Sequence, residues 1–94
     1  MSSIFDLLDI LVPVYIERMQ EGFSASDAAQ FGSSRDIHNR YLSEAQFDIV
    51  DSACVELARL LLADVLMMDG RVYRFELRKS AESYWKQINP SKVS

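Results

Sequence analysis

The sequence predicts one mainly α domain: a small helical bundle around a long central helix at about 43–68, with a candidate β-hairpin at about 65–77 and a short C-terminal helix. Three observations support this prediction. The chain has 94 residues, which suffice for one hydrophobic core. Hydrophobic residues make up 49% of it and charged residues 26%, as in ordinary globular proteins. Apolar residues recur at three- and four-residue spacing over most of the chain, which is typical of amphipathic helices.

The first helix is expected to extend from Ser3 to Gly22. Ser3 and Asp6 have the spacing of a capping box, in which a hydroxyl and a carboxylate satisfy the first free amides of a helix. Pro13 interrupts the apolar pattern, because proline removes a backbone donor and clashes with the preceding turn. The sequence therefore predicts either a kink at Pro13 or two short helices.

Two short helices are expected next. The first begins at Ser24, whose spacing to Asp27 repeats the capping pattern, and it ends near Gly32. The second covers 35–42 and has Ser34 as its N-cap, since serine at this position accepts a hydrogen bond from a free amide. Both helices are too short to form the centre of the core.

The longest apolar pattern in the chain predicts the central helix, from Ser43 to Met68. Its first residues, Ser43 to Gln46, again have the spacing of a capping box. From Leu57 onward few charged residues occur, so this half of the helix is apolar on nearly all sides. Such a helix is expected to lie in the core.

The segment after Asp69-Gly70 fits two structures. Asp-Gly between apolar stretches indicates a tight hairpin turn, whose two central residues need positive φ. Apolar and charged residues then alternate over 73–78, which is typical of a half-buried strand. The apolar residues of 71–77 also continue one helical face, so strand and helix both stay open, with the hairpin favoured. A short helix at 80–88 is expected to end the fold.

The chain lacks the sets of residues that common catalytic and metal sites need. His38 is the only histidine, so a nucleophile has only one candidate imidazole base. Cys54 is the only cysteine, which excludes an intramolecular disulfide and an all-cysteine metal site. Cys54 also lies in an apolar row, where a small core residue is the simplest interpretation. The sequence therefore predicts a protein that is not an enzyme and binds no cofactor or metal.

Three features favour a cytoplasmic location. A single cysteine fits a reducing compartment, because small secreted domains usually depend on disulfides. The apolar N-terminal segment has no basic region, and Asp6 and Asp9 interrupt it, which is unlike a signal peptide. No stretch approaches the ~18 uncharged residues that a membrane-spanning helix needs. We therefore expect no membrane contact.

The large apolar content predicts self-association. The chain has four Met, five Phe, four Tyr and one Trp in addition to two broad apolar helices. Small domains often bury such an excess against a second copy or a partner. We therefore expect a non-enzymatic interaction or regulatory module that forms a homodimer or higher oligomer and binds a protein partner, such as a small phage- or plasmid-type inhibitor or adaptor. Methionine adapts its shape and aromatic residues anchor interfaces, so the expected interface residues are Met67, Met68, Tyr84 and Trp85.

The distribution of charge suggests a second, narrower role. The net charge is −4, and residues 1–70 contain most of the acidic residues. A stripe of carboxylates on the central helix can attract a basic partner or occupy a site that binds phosphates. A solvated helix face is the simpler interpretation of the same stripe. Its residues are Glu44, Asp48, Asp51 and Glu56.

The alternative function is DNA binding by a regulator that uses segment 25–42. Ala28, Phe31 and Gly32 have the spacing of the small residue, the apolar residue and the glycine in a helix-turn-helix, which the segment resembles. The next position, usually apolar, is Ser33, and the acidic chain opposes the approach of phosphates. Under this hypothesis the residues that reach base edges and phosphates are Arg35, His38, Asn39 and Arg40.

Overall fold

A computed structural model describes residues 3–90 of the chain, with side-chain burial from residue 6 onward, and its fold is α+β. The predicted mainly α bundle is therefore wrong. A three-stranded antiparallel sheet carries helices on one face. Its elements, in chain order, are α1 Ser3–Gln20, α2 Ala25–Ala28, β1 Gln30–Gly32, α3 Ser34–Tyr41, α4 Phe47–Arg59, β2 Ala63–Met68, β3 Arg71–Leu77 and α5 Lys79–Ile88.

The predicted central helix at 43–68 is wrong, because its helical part is only the 13 residues of α4. Leu61 ends the helix with φ of 61°, a left-handed conformation that glycine usually supplies at this position. The amides of Leu61 and Leu62 donate to the carbonyls of Ala58 and Leu57, which is the pattern of a Schellman motif. The chain then enters β2, so its apolar residues alternate between two faces of a sheet.

The predicted hairpin is confirmed. Strands β2 and β3 pair antiparallel around Asp69 and Gly70, whose φ angles of 53° and 78° are both positive, as a type I′ turn requires. Residues 71–77 are therefore strand and not helix. The register shifts where Tyr73 is an extra residue of β3, which makes a β-bulge. Helix α5 confirms the predicted C-terminal helix within one residue.

Helix α1 is continuous through Pro13, so of the two alternatives predicted there, a kink or two short helices, the second is wrong. It packs against α4 and α5. Its buried stripe forms much of the core, and the fully buried residues on it are Leu7, Leu8, Leu11 and Val12.

The segment between α1 and α4 departs from the two helices predicted there. Helix α2 is a single turn, and β1 follows it and pairs with β3. The N-cap of α3 is Ser33, one residue before the predicted Ser34, and it forms a complete capping box with Asp36. Gly32 has φ of 80°, and a Cβ atom there would lie 2.5 Å from Oδ2 of Asp36. Glycine is therefore required where the strand meets the cap.

The sheet has one covered face and one open face. The strand order is β1–β3–β2, and helices α3 and α4 pack against the sheet. On the covered face Val72, Phe75 and Leu77 of β3 are buried. Because cross-strand partners share a face, the pairs Leu66–Arg74 and Asp64–Glu76 belong to the open face. The open-face residues of β2 are Asp64, Leu66 and Met68.

Candidate interaction surface

Four large apolar side chains are exposed on the β2–β3 hairpin. Their exposed fractions are 54% for Leu66, 45% for Met67, 52% for Met68 and 51% for Tyr73. We call these four residues the hairpin surface. Leu60 and Leu61, just before β2, are also exposed and extend the apolar area along the chain. Leu66 and Met68 lie on the open face of the sheet, whereas Met67 pairs with Val72 and lies on the other face, so the hairpin surface includes side chains from both faces. Large exposed apolar areas often mark interaction sites in soluble proteins.

Strand β2 lies at the edge of the sheet. One side of it pairs with β3, and no other strand in residues 3–90 pairs with its second side. Edge strands are usually protected by lysine, by proline or by a covering loop or helix. The six residues of β2 include no lysine and no proline. Its backbone donors and acceptors are therefore open to pairing with another strand.

The charges of the hairpin balance, unlike those of the whole chain. Residues 63–78 contain three acidic and three basic residues, whereas the chain has a net charge of −4. Arg78 donates two hydrogen bonds to Asp64, from Nε to Oδ2 at 3.0 Å and from Nη2 to Oδ1 at 2.8 Å. These bonds lower the pKa of Asp64 and raise the pKa of Arg78. The charged residues beside the apolar side chains thus sum to zero, and one pair of them, Asp64 and Arg78, forms an ion pair within the hairpin.

The structure separates the four predicted interface residues. Met67 and Met68 lie on the hairpin surface and are exposed. Trp85 is buried, with 6% of its area exposed, and its indole donates a hydrogen bond to Asp9. Tyr84 is half-buried and packs against the core. Neither Trp85 nor Tyr84 is therefore among the large apolar side chains that are exposed.

The structure brings the predicted acidic residues together only in part: Asp51 and Glu56 line one groove on α4. Glu44 lies in the connection before α4, outside the helix. Asp48 is exposed and pairs with Arg71 at 3.7 Å, and Glu56 pairs with Arg59 at 3.3 Å.

Asp51 is half-buried, and its contacts are internal. Its Oδ1 accepts hydrogen bonds from the Ser34 hydroxyl at 2.6 Å and from the Val72 amide at 2.9 Å. The carboxylate thereby joins α3, α4 and β3. These hydrogen bonds give Asp51 a role in holding the three elements together.

The predicted helix-turn-helix at 25–42 does not form, because residues 30–32 are a strand that pairs with β3. Helices α3 and α4 do pack against each other, but α4 exposes Asp48, which repels phosphate. Arg35 lies over the ring of Phe47, 3.9 Å from its centroid. His38 Nε2 lies 2.8 Å from the carbonyl oxygen of Ala45. Asn39 and Arg40 are exposed.

The described residues hold no candidate metal site, no reactive thiol and no membrane-spanning helix. Within residues 3–90 no group of three or more His, Cys, Asp or Glu side chains is placed to hold a metal ion. Burial and the nearby Asp51 raise the pKa of Cys54 to about 12, so its thiol is not a reactive nucleophile. None of the described helices is long and apolar enough to cross a bilayer.

Sequence analysis missed Leu66, Tyr73 and the free edge of β2. Their signal was present, since 64–68 has no basic residue and precedes a strong Asp-Gly turn. The same residues also continue the apolar row of a helix, and that longer pattern favours helix over strand. Comparison with known proteins found no match to the chain among family models, curated proteins or solved structures.

Proposed function

We propose that this protein is a non-enzymatic interaction module that forms a homodimer through the hairpin surface. One observation carries the proposal: four half-exposed apolar side chains lie on a hairpin whose outer strand, β2, has one edge that pairs with no other strand of the described chain. Exposed apolar area and a free strand edge are both unfavourable in water, and one contact can remove both.

The size of the apolar area is adequate for a dimer. The hairpin surface with Leu60 and Leu61 comprises six large side chains, each about half exposed. Together they present on the order of 500 Å² of apolar area. A stable interface buries roughly 800 Å² from each partner, with polar groups around its apolar centre. The charged residues around the hairpin supply such a border.

The charge balance favours a second copy over another kind of partner. Two copies that each carry a net charge of −4 repel one another over most of their surfaces. The hairpin, residues 63–78, has no net charge and avoids this repulsion. A strongly acidic or basic partner would gain little there, because the charges of the hairpin sum to zero.

The experiment compares two substitutions that place the same charge at differently located apolar residues. Leu66→Asp changes the hairpin surface, and Ile49→Asp changes an equally exposed residue on α4. Light scattering at micromolar concentration is expected to give a dimer for the wild type and for Ile49→Asp. Leu66→Asp is expected to be monomeric and folded by circular dichroism. A dimeric Leu66→Asp, or a monomeric wild type, would overturn the proposal.

Regulation of a protein partner, as an inhibitor or adaptor, stays a prediction. Affinity capture with wild type and Leu66→Asp tests it, because a partner that needs the dimer is captured by the wild type only. A partner captured equally by both proteins uses another surface.

A further inference from the structure

We propose that the second copy docks by adding its β2 strand antiparallel to β2, so that two three-stranded sheets become one six-stranded sheet. The two-fold axis passes through the sheet beside Leu66. This inference rests on the self-association proposed above and specifies its geometry. The test must therefore distinguish whether a dimer forms from whether its two β2 strands pair in this way.

The free edge of β2 supports strand addition. Addition of a strand satisfies the backbone groups along an open sheet edge, and side chains at alternate positions give specificity. Strand β2 offers six residues, and its sequence from Val65 to Met68 carries no charge. No described element lies along this edge in hydrogen-bonding register. The chemistry of the edge thus matches another uncharged strand of the same kind.

Symmetry restricts the register. A two-fold axis perpendicular to an antiparallel pair places one residue directly opposite its own copy and keeps equivalent faces on the same side. An axis at Met67 would pair only three residues of β2, and an axis at Val65 would leave exposed Met68 unpaired. An axis at Leu66 pairs residues 64–68 and includes all three exposed apolar residues of the strand.

The register at Leu66 makes specific contacts. Leu66 lies opposite Leu66 of the second copy, and Met67 lies opposite the second copy's Val65. Met68 lies opposite the second copy's Asp64, so no carboxylate of the paired strands faces another carboxylate.

The experiment uses charges at two positions of the same strand face. Leu66→Lys and Leu66→Glu each place like charges opposite one another, so each is expected to weaken the dimer by about tenfold or more. An equal mixture of the two variants is expected to dimerise again, because opposite charges then meet. Met68→Lys is the matched control, since its ammonium faces the carboxylate of Asp64 and the dimer is retained. Sedimentation velocity measures the dimer fraction of the wild type, of the three variants and of the mixture.

The outcomes separate the two proposals. A wild-type dimer with rescue by mixing and a retained Met68→Lys dimer supports the register at Leu66. A wild-type dimer without rescue by mixing, or with equal disruption by Met68→Lys, overturns this register and leaves self-association standing. Such a result would be expected if the open faces of two sheets stacked on each other. A wild-type protein that is monomeric throughout overturns both proposals.

Discussion

The indole Nε1 of Trp85 donates a hydrogen bond to Oδ1 of Asp9 at 2.8 Å and thereby joins α5 to α1. The two residues are 76 positions apart in the sequence. Trp85 is buried, whereas Asp9 lies at the surface of α1. The contact explains why a tryptophan near the end of the fold belongs to the core and is not available to a partner.

Asp9→Ala is expected to destabilise the protein by about 1–2 kcal/mol, because the buried indole N–H loses its charged acceptor. Urea denaturation followed by tryptophan fluorescence measures the free energy of unfolding. Glu17→Ala, on the exposed side of the same helix, is the control and is expected to change it by less than about 0.5 kcal/mol. Equal effects of the two substitutions would show that the bond contributes little.

Asp51→Ala is expected to lower the free energy of unfolding by about 2 kcal/mol, since the Val72 amide loses its acceptor and the Ser34 hydroxyl keeps only the longer bond to the Val72 carbonyl, at 3.3 Å. Asp51→Asn keeps an oxygen at this place and is expected to cost less than about 1 kcal/mol. Chemical denaturation compares both with Asp48→Ala, which removes an exposed carboxylate. If Asp51 instead serves to capture a basic partner, the opposite is expected. Asp51→Ala and Asp51→Asn would then both weaken capture of that partner, and the free energy of unfolding would not change.

The pairing of Asp64 with Arg78 predicts a dependence of stability on pH. The two hydrogen bonds from Arg78 hold the pKa of Asp64 below its ordinary value of 3.8. Its contribution to stability is therefore present at neutral pH and is lost as the pH falls through the lowered pKa. At neutral pH the melting temperature of the wild type is expected to be slightly higher than that of Asp64→Asn. In acid below the pKa of Asp64 the two melting temperatures are expected to be the same. The difference is small because both side chains are about half exposed.

Arg78→Gln provides the matched control for Asp64→Asn, since it removes the other partner of the pair. Thermal denaturation of both variants is expected to show the same loss of pH dependence relative to wild type. A difference in melting temperature that persists in strong acid would contradict the assignment to this pair.

Cys54 is expected to resist alkylation in the folded protein. Burial in α4 and the nearby charge of Asp51 raise its pKa to about 12, so the thiolate is scarce at neutral pH. Iodoacetamide is expected to react at least ~100-fold more slowly with the native protein than with the protein in urea. Mass spectrometry of timed samples measures the rates. Comparable rates in the two conditions would show that the thiol is accessible in the native state.

Local sequence signals predicted some elements of the fold and missed others. The Asp69-Gly70 turn was predictable because both residues adopt the positive φ that a tight hairpin needs. The end of α4 was not predictable, because Leu61 occupies the left-handed position where a glycine usually marks the end of a helix. Beyond Leu61 the apolar residues fit helical and strand periods equally well. Because no glycine or proline marks the end of α4, the sequence predicts a helix that continues through β2.

Strand β1 and the core position of Trp85 depend on distant residues. Only three residues form β1, and they are a strand because Gln30 and Gly32 pair with Glu76 and Phe75 of β3. Trp85 is buried because α1 lies beside it. Neither contact leaves a local pattern in the sequence. Two of the four residues of the hairpin surface, Met67 and Met68, were predicted as interface residues. Leu66 and Tyr73 can be recognised only once their segments are known to be strands.

Sedimentation equilibrium of the wild-type protein over a wide concentration range is the most direct test of dimerisation through the hairpin. The expected result is an average mass that rises with concentration from the chain mass of 10.8 kDa towards twice that value. A mass that stays at 10.8 kDa up to the highest concentration would contradict the account, because the hairpin surface would then remain in water.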